Sequence, residues 1–267
     1  MANDDKGKVD RMPDTAPGGQ PKARQIADDL LYAIQSGEYQ PGARIMGENQ
    51  IQAQYGVSKI TAREALKLLT DWGKVETRHG SGTFVRDFRP VVRNGIRRLS
   101  SETWPAGRSI WTADTEGRDT REDVTVYQED NPGRRVRDAL ELPDGASALV
   151  RFRTHFVDGK PVLLSMSSLI TDMVTGSAIT QRDTGPGGTY ARLRDLGHAP
   201  AHFREDIRSR MPLPDEIDRL HIAPGTPVFQ LERIAYDADW RPVEINEMTA
   251  DASAYVFRYD FSVRDMQ

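Results

Sequence analysis

Ser58, Lys59, Thr61 and Arg63 fall within six residues of one another, small hydroxyls interleaved with cations. At the tip of a helix such a set can bond base edges or phosphates, and the first-turn amides of that helix can themselves hold a phosphate. A second set is Arg151 and Arg153, which alternate with Val150, Phe152, Thr154 and Phe156. In a strand this puts Arg151, Arg153 and His155 on one side. By themselves the arginines read as the exposed face of a strand, paired with Glu232 across the sheet. His198 and His202 have the i, i+4 spacing of half a metal site. The chain has no cysteine, and no carboxylate stands at a matching spacing, so no metal site is expected. Gly185-Pro-Gly-Gly188 lacks the Lys-Ser/Thr of a phosphate loop and reads as a flexible loop. No nucleophile elbow, metal triad or telling acid–base pair is present, so no catalytic residue and no cofactor is assigned.

The elements that would position these residues follow from periodicity. Ile26, Leu30, Leu31 and Ile34 recur at helical spacing and predict a helix to about Gln35. Gly37 and Pro41-Gly42 stop it and make a turn. Gly47-Glu48-Asn49 opens a short second helix that Gly56 ends. Ser58 is a good N-cap for a third helix, Lys59 to about Asp71, with Ala62, Ala65, Leu66 and Leu69 on one face. A hairpin follows: Val75 to Arg78, a turn over His79 to Gly82, then Thr83 to Val85. Two short helices joined by a glycine turn, then a hairpin, make a winged helix-turn-helix whose third helix enters the major groove and whose wing reaches the adjacent minor groove. Arg86 to about Arg98, rich in arginine, reads as a solvated linker. Beyond it come strands at Ala148 to Phe156 and Val162 to Ser167 around an Asp158-Gly159 turn, a helix at Thr189 to Leu196, a hairpin of Val228 to Tyr236 and Val243 to Thr249, and a last strand alternating Tyr255, Phe257, Tyr259 and Phe261.

Charge divides the chain in the same place. Lys22 to Arg98 holds 13 Lys/Arg against 8 Asp/Glu, and Leu99 to the end holds 20 against 28. A basic front on an acidic rear suits a nucleic-acid-binding head on a separate body, although the whole chain carries a net charge of −4. The first residues contain no apolar h-region, and no apolar run approaches the roughly 20 residues of a membrane span. Neither a secretory signal nor a membrane partner is expected. The absence of cysteine fits a reducing cytoplasm.

Three stretches are similar to the head of the GntR family of bacterial regulators: Gln40-Pro-Gly-Ala-Arg-Ile-Met-Gly-Glu48, Tyr55-Gly-Val-Ser-Lys-Ile-Thr-Ala-Arg-Glu-Ala-Leu66 and Gly80-Ser-Gly-Thr-Phe-Val85. The resemblance implies DNA contacts from Arg44, Asn49, Ser58, Lys59, Thr61, Arg63, His79 and Gly80. The chain departs from the family pattern at Met46-Gly47, where Pro-Ser is usual, at Asn49 and at Lys59. Lysine is a point charge where the usual arginine is a bidentate fork. The rear resembles the HutC subfamily, with its chorismate-lyase-like UTRA effector domain. The matching stretches are Leu149-Val-Arg-Phe-Arg153, Asp158-Gly-Lys-Pro-Val162, Gly188-Thr-Tyr-Ala-Arg-Leu193 and Asp239-Trp-Arg-Pro-Val-Glu244, with Asp251 and Phe257. That resemblance implies an effector pocket with Arg151, Arg153, Ser165, Thr189, Tyr190 and Glu244 in it, the two guanidinium forks aimed at a phosphate or carboxylate as the alternative to an exposed face. Ser165 stands where relatives that bind sugar phosphates often carry Glu, which weakens a sugar ligand. Trp104 and Trp111 either wall that pocket or pack the connector onto the body.

The expectation is therefore an α+β protein: a tail over 1–21, a winged helix-turn-helix over 22–87, a linker over 88–109 and an antiparallel-sheet effector and dimerisation domain over 110–265. Its expected partners are operator DNA, a small-molecule effector and a second copy of itself. The expected role is a repressor released from a palindromic operator by its effector. The alternative is an enzyme that acts on a small carboxylate with the lyase-like rear domain.

Overall fold

The computed structural model describes residues 21–78, 80–99, 111, 114–115, 117–223 and 225–260. The expectations for residues 1–20, His79, Trp104 and Phe261 lie outside these residues. The head follows from local signals. The apolar faces of α1 (Lys22–Gln35), α2 (Glu48–Tyr55) and α3 (Lys59–Asp71) meet around Ile26, Leu30, Ile51 and Leu69, all fully buried. Gly56 takes the left-handed conformation, φ 63°, that ends α2 and turns the chain into α3. Strands β1 (Val75–Arg78) and β2 (Gly82–Val85) form the antiparallel wing.

The body is a six-stranded antiparallel sheet with order β4-β5-β6-β9-β8-β7. These strands are β4 (Thr120–Glu129), β5 (Ala148–Val157), β6 (Lys160–Ile170), β7 (His202–Arg210), β8 (Val228–Tyr236) and β9 (Pro242–Asp251). Side chains alternate between its faces. One face packs under α4 (Arg134–Leu140), through Val136 and Leu140 on Ile234 and Ile245, and near α7 (Pro214–Leu220), through Leu220 on Leu164 and Val228. A short α5 (Thr171–Val174) follows β6. The other face has two covers. At one end α6 (Gly188–Asp195) buries Tyr190 and Leu193 against Leu149, Leu169 and Ala235. At the other, Val91, Trp111 and Tyr255 pack on Leu163, Leu231 and Met248. Between the covers the register aligns Arg151, Ser167, Asn246, Arg233 and Glu205 in one row across the sheet. Among the described residues, no helix is long and apolar enough to cross a membrane.

The expected linker over 88–109 is corrected in its first half. Val91–Asn94 is a strand, β3, paired in parallel with β10 (Tyr255–Arg258). Arg93 is 3% exposed and ion-paired with Glu205. Arg98 is 8% exposed and lies 3.2 Å from Asp114. Gly95 lies so close beneath the Tyr259 ring that a Cβ there would come within 2.2 Å of it. The arginines of this stretch read as solvated because their acid partners lie far away in sequence. Composition also concealed β4 and β7. Both are edge strands with mostly exposed or half-exposed residues, so neither carries the apolar alternation that marks β5 or β9.

The Arg93–Glu205 pair gives a stability test. Arg93→Met should cost about 3–5 kcal/mol in urea unfolding, because it strands Glu205 without its cation. Arg93→Met combined with Glu205→Leu should recover most of that loss. A single variant as stable as wild type would show that the strap is not docked this way.

Candidate functional site

At the tip of α3, Ser58 Oγ accepts from Thr61 N at 3.2 Å and lies 3.0 Å from Thr61 Oγ1. The two hydroxyls thus cap the helix, and Thr61 is only half exposed. Lys59 and Arg63 project outward, their side chains 60% and 65% exposed. Glu48, the first residue of α2, reaches across to both. Its carboxylate takes Arg63 Nε at 2.9 Å and Nη2 at 3.3 Å, and stands 3.7 Å from Lys59 Nζ. The Arg63 hydrogen bond holds this carboxyl below its ordinary range. Gly47 precedes α2 without a side-chain oxygen, and Gln50 Oε1 accepts from its N–H instead. Arg44, Asn49 and Gly80 are exposed, and Arg44 sits beside the wing at Gly82. Ile60, 70% exposed between Lys59 and Thr61, was missed in the sequence reading. An exposed β-branched residue at a helix tip was the available signal.

The body holds a cavity of about 340 Å³ over the polar row, between its two covers. All of the sequence-predicted body residues line it: Trp111, Arg151, Arg153, Ser165, Thr189, Tyr190 and Glu244. Their roles differ from the expectation. Arg151 Nη1 donates to Ile179 O at 2.5 Å and to Gln181 O, and Nη2 to Arg182 O at 2.9 Å. It therefore serves mainly to pin the loop before α6. Pairing with Glu232 is ruled out, because Glu232 faces the opposite side of the sheet and binds Arg135. Arg153 donates to Ser167 Oγ, Ser165 Oγ meets Asn246 Oδ1 at 2.9 Å, and Tyr190 OH donates to Glu244 Oε2 at 2.5 Å. Burial drives the Tyr190 hydroxyl far above its usual value. Gly185 to Gly188, read as a flexible loop, line the cavity where α6 begins.

Several polar groups here are buried with no hydrogen-bond partner among the described residues: Thr189 Oγ1, Arg151 Nε, Arg153 Nε, Arg98 Nε and Arg233 Nε and Nη1. Orphaned donors in a cavity are costly unless something accepts from them. Sequence reasoning missed Arg98, Arg233, Asn246 and the His155–Glu122 pair as wall residues. His155 Nδ1 lies 3.2 Å from Glu122 Oε1, and the imidazole packs against Trp111 with ring centroids 4.5 Å apart. His202 stacks on Trp240 instead, at 4.0 Å, on the outer surface.

Residues 22–85 match the gntR family of bacterial regulatory proteins, and residues 115–256 match the UTRA domain. The chain is 31% identical to an uncharacterised HTH-type transcriptional regulator of Streptomyces coelicolor, over 92% of this chain and 94% of that one. The head alone, 32% of this chain and 34% of the relative, is 40% identical to the mannosyl-D-glycerate transport/metabolism system repressor of Escherichia coli. A solved structure described as a GntR-family transcriptional regulator superposes with a TM-score of 0.60 at 25% identity, covering 91% of this chain and 98% of its own.

His155 makes the cavity sensitive to acid. Burial keeps it below its ordinary 6.5, against the pull of Glu122 and with the opposing charges of Arg153 and Arg98. The unfolded chain protonates there first. The stability it contributes is complete above about 6.5 and shrinks as the pH falls through that value. Between about pH 7.5 and about pH 5.5, the wild-type melting temperature should drop more than that of His155→Gln. Parallel profiles would refute a neutral buried imidazole.

Proposed function

This chain belongs to the gntR family of bacterial regulatory proteins and carries a UTRA domain behind its head, and on that premise we propose that it is a repressor released from its operator by a small anionic effector. As a member it is a DNA-binding transcriptional regulator. The finer reading rests first on the α3 tip, where Arg63 and Lys59 stand exposed and Glu48 fixes their direction. A guanidinium held in place loses less freedom on meeting a guanine edge or phosphate. Ile60 offers an apolar contact for a thymine methyl. Arg44, Asn49 and the wing flank that contact.

The anionic character of the effector rests on the orphaned donors of Arg153, Arg233 and Thr189 around the start of α6. A carboxylate or phosphate would accept from several of them at once. Association of two bodies about a two-fold axis would set two heads on a palindromic site in the cytoplasm. The repressor role is also the stated role of the Escherichia coli relative of the head. No catalytic step is assigned to the cavity.

The operator would be selected from random duplexes with the full-length protein. Arg63→Ala should then cost about 1–3 kcal/mol of operator binding. Replacing the thymine opposite Ile60 with uracil removes only a methyl and should cost about 0.8 kcal/mol. Equal binding of cognate and scrambled duplexes would end the regulator reading.

A further inference from the structure

The strap from Val91 to Leu99 joins the wing to the body and also walls the cavity. Val85 ends the wing, and Val91 begins β3. The strap is fixed by the β3–β10 pairing, by Arg93 on Glu205, by Gly95 beneath Tyr259 and by Arg98 near Asp114. Of these anchors, only Arg98 opens on the cavity. Of the strap's two ion pairs, its own is the longer. The pair stands at 3.2 Å, yet among the described residues neither Arg98 Nε nor Asp114 Oδ2 completes a hydrogen bond. Nearby charge does not balance. Burial and then the positive charge of Arg93 push the Arg98 guanidinium down to about 9, and Arg233 adds to this. Of the acids within reach, Glu205 is committed to Arg93, and Glu244, which accepts from the Tyr190 hydroxyl, acts on Arg233. Arg233 faces the same cavity with two unpartnered nitrogens.

We propose that Arg98 is the residue through which the cavity acts on the head: an anion bound there takes the Arg98 guanidinium from Asp114, shared with Arg233, and so releases the strap that carries the wing. This rests on the reading that the cavity binds a small anion. Two buried guanidinia converging on one ligand oxyanion make better hydrogen bonds than Arg98 now makes with Asp114. A ligand can shift the strap only by binding one arrangement better than the other. Exchange of partners at Arg98 supplies that difference: the Nη2 that now faces Asp114 turns to the ligand oxyanion.

The test uses the full-length protein, the selected operator and inorganic phosphate as probe. Phosphate should raise the melting temperature of wild type and not of Arg153→Met. Failure to stabilise wild type would remove the anion reading, and this proposal with it, by a measurement independent of DNA. Asp114→Asn should mimic the bound state without ligand: operator affinity about fivefold or more lower, and faster amide exchange across Val91–Leu99. Arg98→Met combined with Asp114→Leu leaves no buried orphan charge, so it covers the case in which the single variant folds poorly. It should still be stabilised by phosphate, yet its operator affinity should not change on adding phosphate. Wild-type affinity and strap exchange in Asp114→Asn would overturn the proposal. So would a double variant that answers phosphate as wild type does.

Discussion

Each of β5, β6, β9, β8 and β7 contributes one residue to a single cross-sheet row, Arg151, Ser167, Asn246, Arg233 and Glu205, and that row faces inward. Taking a charge out of water costs several kcal/mol unless it is paired and hydrogen-bonded. The rest of the body can be read as the response to this cost. Arg151 draws the carbonyls of 179, 181 and 182 over itself, which sets the loop before α6. Glu205 draws in Arg93, which brings β3 across the sheet and gives β10 its partner. Arg233 lies over the Tyr190 ring at 5.6 Å and keeps two nitrogens unpartnered among the described residues. Positive charge remains at the centre of the row after the folded chain has used its own acids. The cavity lies over that remainder.

The head solves a simpler problem with local means. α3 must present cations to a polyanion without letting them wander, and a single carboxylate at the start of α2 holds two of them. Because Glu48 is itself only 28% exposed, its cations are directed without being buried. Exposed ion pairs contribute little stability, so the value of this pair lies in orientation. At Gly47 only the returning half of a capping box is present: Gln50 Oε1 accepts from the Gly47 N–H, and no side chain at the N-cap accepts from the first-turn amides of α2.

The head was legible in the sequence almost residue by residue, because each of its signals is local. Gly56 ends α2, Ser58 caps α3, and the apolar period of α3 is unbroken. In the body the interior strands were legible and the edges were not. A strand such as β4, with Thr120 to Glu129 largely in solvent, carries no apolar alternation. Alternation put Arg151 and Arg153 on one side of β5 and the family resemblance put that side in a pocket, while their hydrogen-bond partners stayed hidden. The carbonyl partners of Arg151 lie 28 to 31 residues away, and Glu205 lies 112 residues from Arg93. Arg98 shows the same limit. In sequence it ends an arginine-rich linker, and in the fold it is a buried wall of the cavity.

Fastening the connector by buried ion pairs has a consequence that a flexible linker would not have. A solvated linker moves by small degrees at little cost. A strap held by Arg93 and Arg98 cannot, since half-withdrawing either guanidinium breaks its ion pair before another is made. The intermediate positions are thus the costly ones, and the strap has two favourable arrangements, docked or released with a new partner. Two discrete arrangements are what a ligand-sensitive switch requires. The surplus of cations over acids beneath the strap sets which chemistry can supply the new partner. A neutral molecule of the same size would fill the cavity and still leave Arg98 with only Asp114 to turn to.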